Sequence, residues 1–229
     1  MQGEPFEGFS PAGFALLRDL KRHNERAWFA PRKERFEREL LNPMRALVRD
    51  ASVALARANI PLLGDEKRSV FRIYRDVRFG HDKSPYRTNV AAYLSYDGGR
   101  DTPGGIYVHV EPGRCFLSVA FYRIDRSMLE RWRRAMLARP ATFARVIDQL
   151  KRRGIPIDGP IDGDDSLVRL PRGFAIDGEN ALAPYFRLRS FCADLALDES
   201  DAMSTGLVGR IVKLAKDAKP LLDFGWSLE

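Results

Sequence analysis

Residues 106–122 read IYVHVEPGRCFLSVAFY, two runs of alternating apolar residues joined by Pro112-Gly113. A period of two marks strands, and a Pro-Gly dipeptide between two such runs is a turn connecting antiparallel neighbours. With a two-residue loop, Ile106, Val108 and Val110 share one face with Cys115, Leu117, Val119 and Phe121, and that face is the expected core. Tyr107, His109 and Glu111 fall on the opposite face with Phe116, Ser118, Ala120 and Tyr122, where the small Ser118 and Ala120 leave room. Applied to Asn89–Tyr96, the same parity puts Val90, Ala92 and Leu94 in the core and Asn89, Ala91, Tyr93 and Ser95 on the polar face. Further upstream, Phe71, Ile73, Val77 and Phe79 alternate with Arg72, Tyr74, Asp76 and Arg78. Arg75 falls on the apolar parity, and a buried unpaired guanidinium is too costly, so a bulge or turn near Tyr74–Asp76 or a buried acidic partner is expected. The sheet is thus expected over 69–123, with 97–105 (DGGRDTPGG) a loop by composition.

Helical spacing flanks the sheet. Ser10-Pro11 reads as an N-cap and first helical residue, followed by the stripe Phe14, Leu17, Leu20. A second pattern opens at Pro31 and is interrupted at Asn42-Pro43, where a kink or restart is expected. Trp28 and Phe29 read as core anchors. The N-terminal helices should span 11–58. In the C-terminal part, 126–229, Asp125 caps one helix and Pro140 opens the next, which stops at Gly154. The segment 155–166 reads as loop, Leu167–Leu170 as a short strand, Asn180–Tyr185 as a short helix, Phe186–Leu197 as an added edge strand. Asp198 or Ser204 starts a last helix with Leu207, Ile211 and Leu214 buried. The fold class expected is α+β: a single domain, 1–229, in which an antiparallel β-meander packs its apolar face on helices.

Composition sets the wider bounds. Hydrophobic residues at 45% and charged residues at 30% of 229 describe an ordinary soluble globular chain, and no apolar run approaches the ~20 residues of a membrane span. The N-terminus lacks a secretory pattern, so a cytoplasmic location and no membrane partner are expected. Cys115 and Cys192 lie far apart in sequence and read as small buried hydrophobes. His23, His81 and His109 lack metal-ligand spacing, so no metal site is expected, and without a P-loop, dinucleotide fingerprint or nucleophile elbow no cofactor is expected either.

The formal charge is +7, and Lys67–Asn89 alone, with seven basic and two acidic residues, contributes +5. Such a concentration calls for an anionic partner. Guanidinium forks grip phosphate or carboxylate bidentately and Lys adds a point charge, so Arg72, Arg78, Lys83 and Arg87 form the expected anion clamp. Ser84, Tyr86 and Asn89 would add neutral hydrogen bonds to the same anion, and Tyr107, with Tyr74, Tyr93 and Tyr122, an aromatic wall. His109 and Glu111, two residues apart on one strand face, are the candidate catalytic pair, because a carboxylate orients an imidazole and raises its basicity. A solvated strand face places His beside Glu just as well, and the Arg cluster reads equally as a salt-bridge network with Asp76, Asp82 and Glu111.

Several segments together resemble the family grouped as domain of unknown function 2461. They are Asn24-x-Arg26-x-Trp28-Phe29, Phe71-Arg72-Ile73-Tyr74-Arg75-Asp76-x-Arg78-Phe79, Asp82-Lys83-Ser84-Pro85-Tyr86, Tyr107-x-His109-x-Glu111-Pro112-Gly113, Pro171-Arg172-Gly173-Phe174 and Arg189-Ser190-Phe191. The resemblance covers nearly the whole chain. It implies a single α+β domain and the grouping of these segments, and it carries no mechanism, since the family has no established activity. Relatives often carry Arg-Gly-Tyr where this chain has Phe174, which argues against a needed hydroxyl there. The leading expectation is therefore binding, with or without turnover, of a phosphate- or carboxylate-bearing small molecule. The alternatives are a nucleic-acid-binding module using the same basic strip, and a protein-interaction domain whose polar residues form a structural network.

Overall fold

The computed structural model describes residues 4–76, 83–160, 166–174 and 176–228. In chain order the elements are α1 (Pro11–Arg22), α2 (Arg26–Phe29), a 3-10 turn (Ala30–Arg32), α3 (Lys33–Phe36), a π turn (Glu37–Leu41), α4 (Asn42–Arg57), β1 (Val90–Leu94), β2 (Gly105–Val110) and β3 (Cys115–Phe121). There follow α5 (Arg126–Ala138), α6 (Pro140–Arg152), β4 (Ile157–Asp158), α7 (Ala183–Arg187), β5 (Phe191–Leu197), α8 (Glu199–Ala202), α9 (Leu207–Asp217) and α10 (Lys219–Trp226). The strands make one antiparallel sheet of order β1-β2-β3-β5-β4, so the class is α+β. β5 is thus an inner strand and not the edge expected, because the two-residue β4 lies outside it, pairing Ile157 with Ala193. So short a strand carries no periodicity, which is why 155–166 reads as loop. Leu167–Leu170 is no strand: Leu167 N–H donates to Arg187 O, and Val168 is 93% exposed.

The chain divides into two compact units. The first comprises 1–102, 107–117 and 196–213, the second 103–106, 118–195 and 214–229.

In the first unit Ser10 caps α1 by accepting from Gly13 N–H, and its hydroxyl donates to Glu39 Oε2 at 2.6 Å. Asn42-Pro43 brings no break. Pro43 has no N–H for the carbonyl four residues earlier, and the helix passes it by widening into the π turn just before. α4 packs on β1. Trp28 is only half-buried, stacked 5.7 Å from His23 under the Arg32 guanidinium, while Phe29 is in the core. Asn24 does what a strand neighbour would do: its side chain donates to Tyr86 O and accepts from Tyr86 N–H, both at 3.0 Å.

In the second unit Asp125 caps α5, and Gly154, at φ +73°, ends α6 as expected. Trp132 of α5 is fully buried, stacked on Phe191 at 4.0 Å and ringed by Phe121, Phe143 and Phe224. Arg133 is buried too, its guanidinium donating to Phe186 O and Leu188 O at the end of α7.

The β2–β3 connection is a tight turn at Glu111–Arg114, with Arg114 N–H donating to Glu111 O and Gly113 at φ +75° behind Pro112. The φ > 0 demanded after proline is what glycine supplies. The expected core face is buried throughout. Much of the opposite parity is buried too, against the expectation of an open polar face: Phe116 is 2%, Ser118 5%, Ala120 4% and His109 6% exposed, while Tyr107 and Glu111 are half-buried and Tyr122 is exposed.

Candidate functional site

The segment before β1 explains part of that burial. The stretch from Phe71 is expected to alternate as a strand with a bulge or turn near Tyr74–Asp76 or a buried acidic partner for Arg75; the described structure shows isolated bridges, Val70 to Ala92 and Tyr74 to Tyr86. Three residues separate the bridges on one side and five on the other, so the irregularity lies in 87–91, opposite the place expected from Arg75. Pairing continues past Tyr74, since Arg75 N–H donates to Pro85 O, and Arg75 is only partly buried, so its parity costs little. The extra residues form a bend at Thr88 and Asn89, which turns both side chains toward β2. Thr88 Oγ1 donates to Glu111 Oε1 at 2.6 Å, and Asn89 Nδ2 lies 3.3 Å from His109 Nδ1.

His109 is the centre of this cluster. Its Nε2 is 3.3 Å from Glu111 Oε2, its Nδ1 is 3.2 Å from Tyr107 Oη, and its ring stacks on Phe116 at 4.7 Å and 18°. The partners set the tautomer. A carboxylate only accepts, so Nε2 carries the proton, and Nδ1 accepts from the Asn89 amide and the Tyr107 hydroxyl. Burial works against charge on Glu111, but hydrogen bonds from His109 and Thr88 outweigh it and hold the carboxyl below its ordinary range. The sign follows: a folded-state value below the unfolded one stabilises the fold above about pH 4.3, and that contribution is lost as pH falls through the folded value. Urea midpoints measured from pH 7 to pH 3 should therefore fall less steeply on the acid side for Glu111→Gln than for the parent. Parallel curves would show that Glu111 has no part in acid unfolding.

A groove of about 340 Å³ opens elsewhere in the same unit. Its apolar wall comes from Phe29, Phe36, Leu41, Val70, Phe71, Ile73 and Tyr74, its charged rim from Lys33, Arg45, Lys67, Arg72 and Arg100 with Glu37 and Glu66. Both carboxylates are engaged, Glu37 by Arg45 at 3.0 Å and Glu66 by Arg49 at 3.5 Å. Among the described residues Lys33, Arg72 and Arg100 form no ion pair, and Lys67 has only the electrostatic pull of Asp65, which accepts from its backbone N–H. Arg100 is placed by its loop: Asp97 accepts from Gly99 N–H and the Thr102 hydroxyl, and the Arg100 guanidinium lies 5.3 Å from the Phe71 ring centre.

The residues expected to form one site are therefore distributed. Arg72 lies on the groove; Tyr107, His109, Glu111 and Asn89 lie in the buried cluster; Phe71 touches both, its ring 5.8 Å from Tyr107 and beneath Arg87 at 6.0 Å. Tyr86 is buried at 5%, its ring 4.3 Å from Phe29, and Tyr93 donates to Thr102 O. Lys83 is exposed and Ser84 half-buried, both with partners of their own. Arg78, His81 and Asp82 lie outside the described residues. Lys33 and Arg100 went unnoticed in the sequence because their neighbours on the groove are remote along the chain, and Thr88 carries no signal beyond being a threonine. Burial pushes the Cys115 thiol up to about 11, and it donates to Glu111 O.

Sheet, helices and clustered polar side chains together define an α+β protein with a cation-rimmed groove beside a Tyr–His–Glu cluster. The chain belongs to the family described as "Conserved hypothetical protein (DUF2461)", whose sequence profile matches residues 12–224. No curated protein and no solved structure matches the chain. No helix among the described residues is long and apolar enough to cross a membrane.

Proposed function

We propose that the protein binds an anionic small molecule, through a phosphate or carboxylate group, in the groove of the first unit. The observation supporting this is the surplus of Lys33, Lys67, Arg72 and Arg100 on a rim whose carboxylates are already paired. Unpaired cations gathered round one concavity repel one another, and an anion relieves that repulsion while gaining charge-assisted hydrogen bonds. The volume suits a small ligand, and the aromatic wall would hold its body.

Thermal shift with inorganic phosphate, sugar phosphates, nucleotides and short oligonucleotides tests the reading. A small anion should raise the melting temperature, and Arg72→Ala should weaken its affinity about tenfold, the equivalent of roughly 1.4 kcal/mol from a lost charge-assisted hydrogen bond. If no anion stabilises the protein, or the variant responds as the parent does, the groove is not an anion site. Stabilisation by oligonucleotides alone, falling steeply with salt, would instead favour the nucleic-acid reading.

A further inference from the structure

We propose that Tyr107 is a proton-transferring side chain, its phenol primed by His109 and Glu111 through the relay Tyr107–His109–Glu111. The three residues occupy alternate positions of one strand end and the turn after it, so they line one face in order. The geometry follows the logic of an activated nucleophile or acid–base group: a hydroxyl within reach of a base, and the base oriented by a third group. Tyr107 Oη is 3.2 Å from His109 Nδ1, and the Nε2 proton faces Glu111 at 3.3 Å. Each outer member is itself held. Thr88 fixes Glu111 at 2.6 Å, Phe116 fixes the imidazole plane, and Phe71 meets the Tyr107 ring edge-on. Glu111 stays ionised, so an imidazolium formed at His109 meets a carboxylate on its far side.

In the forward step the Tyr107 O–H bond breaks, its proton moves to His109 Nδ1, and the electron pair stays on the phenol oxygen. That phenolate takes a proton from a substrate atom, and the reverse sequence returns it, so no other reactant is consumed. Among the described residues the charged groups round the relay include Glu111 itself, Lys21 acting on Glu111, Arg114 over Phe116, Arg87 and Arg100 on the Phe71 ring, and Glu199, which accepts from Gly113 N–H at 2.9 Å and with Asp201 acts on neighbouring Cys115. Arg87 and Arg100 gather at the Tyr107 end, through the Phe71 ring, and Glu111 and Glu199 at the turn end, an arrangement that suits negative charge on the Tyr107 oxygen. Tyr107 is the catalytic residue in this scheme; His109 and Glu111 act through it. The relay stands on its own distances and does not depend on what the groove binds.

The test is chemical. An aryl sulfonyl fluoride is attacked at sulfur by a phenolate oxygen, with loss of fluoride, and peptide mass spectrometry reads the rate at each tyrosine of the full chain. Tyr107, though partly buried, should react about tenfold faster than Tyr74, which is 50% exposed and has no imidazole hydrogen bond. His109→Gln should bring Tyr107 down to the rate of Tyr74 or below it, and Glu111→Gln should slow it several-fold, with Tyr74 unchanged in both. Near-UV circular dichroism checks folding. Should His109→Gln not fold, Glu111→Gln and the parent's rate ratio decide. Tyr107 reacting no faster than Tyr74 in the parent, or at the parental rate in the folded variants, overturns the proposal.

Discussion

Trp132→Ala should cost about 3–5 kcal/mol, the range for removing a buried aromatic from a close-packed core. The indole is fully buried and stacks flat on Phe191, with Phe121, Phe143 and Phe224 around it. None of these rings belongs to α5. They come from β3, α6, β5 and α10, so the cavity left by alanine would strip dispersion contacts from four elements at once. Against a total stability of roughly 5–15 kcal/mol, such a loss leaves the variant marginal. Trp132 Nε1 has no hydrogen-bond partner among the described residues. Trp132→Phe removes that buried donor along with some volume, and relief of an unmade hydrogen bond, about 1–3 kcal/mol, offsets much of the packing loss. Urea unfolding should therefore place Trp132→Phe within about 1.5 kcal/mol of the parent and Trp132→Ala far below it. Equal losses in the two variants would mean that the indole N–H is satisfied in solution.

Gly8→Ala should destabilise the first unit by about 2–5 kcal/mol, from two causes that add. Gly8 sits at φ +96°, where an L side chain costs roughly 1–2 kcal/mol. A Cβ there would also overlap the Met203 carbonyl, and a backbone atom cannot rotate out of the way as a side chain would. The neighbouring hydrogen bond from Phe9 N–H to Ala202 O, at 3.1 Å, pins this contact and leaves little room for relaxation. The control is Gly113→Ala, also at positive φ but with open space around its would-be Cβ, which should show the conformational cost alone. If chemical denaturation gives both variants the same loss, the approach of Gly8 to Met203 is not close in solution.

Local signals in the sequence decide the structure where one element fixes its own form. Ser10 and Asp125 cap because their side chains meet N–H groups three residues on, and Gly154 stops α6 because it alone accepts a left-handed turn cheaply. The hairpin round Pro112-Gly113 followed from alternation and turn chemistry together. What alternation does not report is what lies above each face. Tyr107, His109 and Glu111 share one face as alternation predicts, yet His109 is buried there and its two neighbours half-buried, since the covering chain comes from Phe71 and from Thr88–Asn89. That covering depends on a two-residue offset between bridges, for which no residue type is diagnostic. The motif containing Asn24 was visible, but its work, holding the Tyr86 backbone 62 residues away, is a tertiary fact. The groove was illegible for the same reason: Lys33 and Arg100 meet Arg72 only after folding.

The π turn at Glu37–Leu41 has a consequence for the phase of the helix that carries one groove wall. Lys33, Glu37, Leu41 and Arg45, spaced by four, all line the groove. At about 100° per residue, an unbroken α-helix over-rotates by about 40° at each such step, so Arg45 would end about 120° away from Lys33. The wider i→i+5 winding turns each residue through less and takes up that drift. Arg45 accordingly meets Glu37 across eight residues, a pairing that ordinary helical spacing does not provide. A chain one residue shorter between 37 and 41 would form a more regular helix and swing Lys33 and Phe36 off the wall that Leu41 and Arg45 still formed.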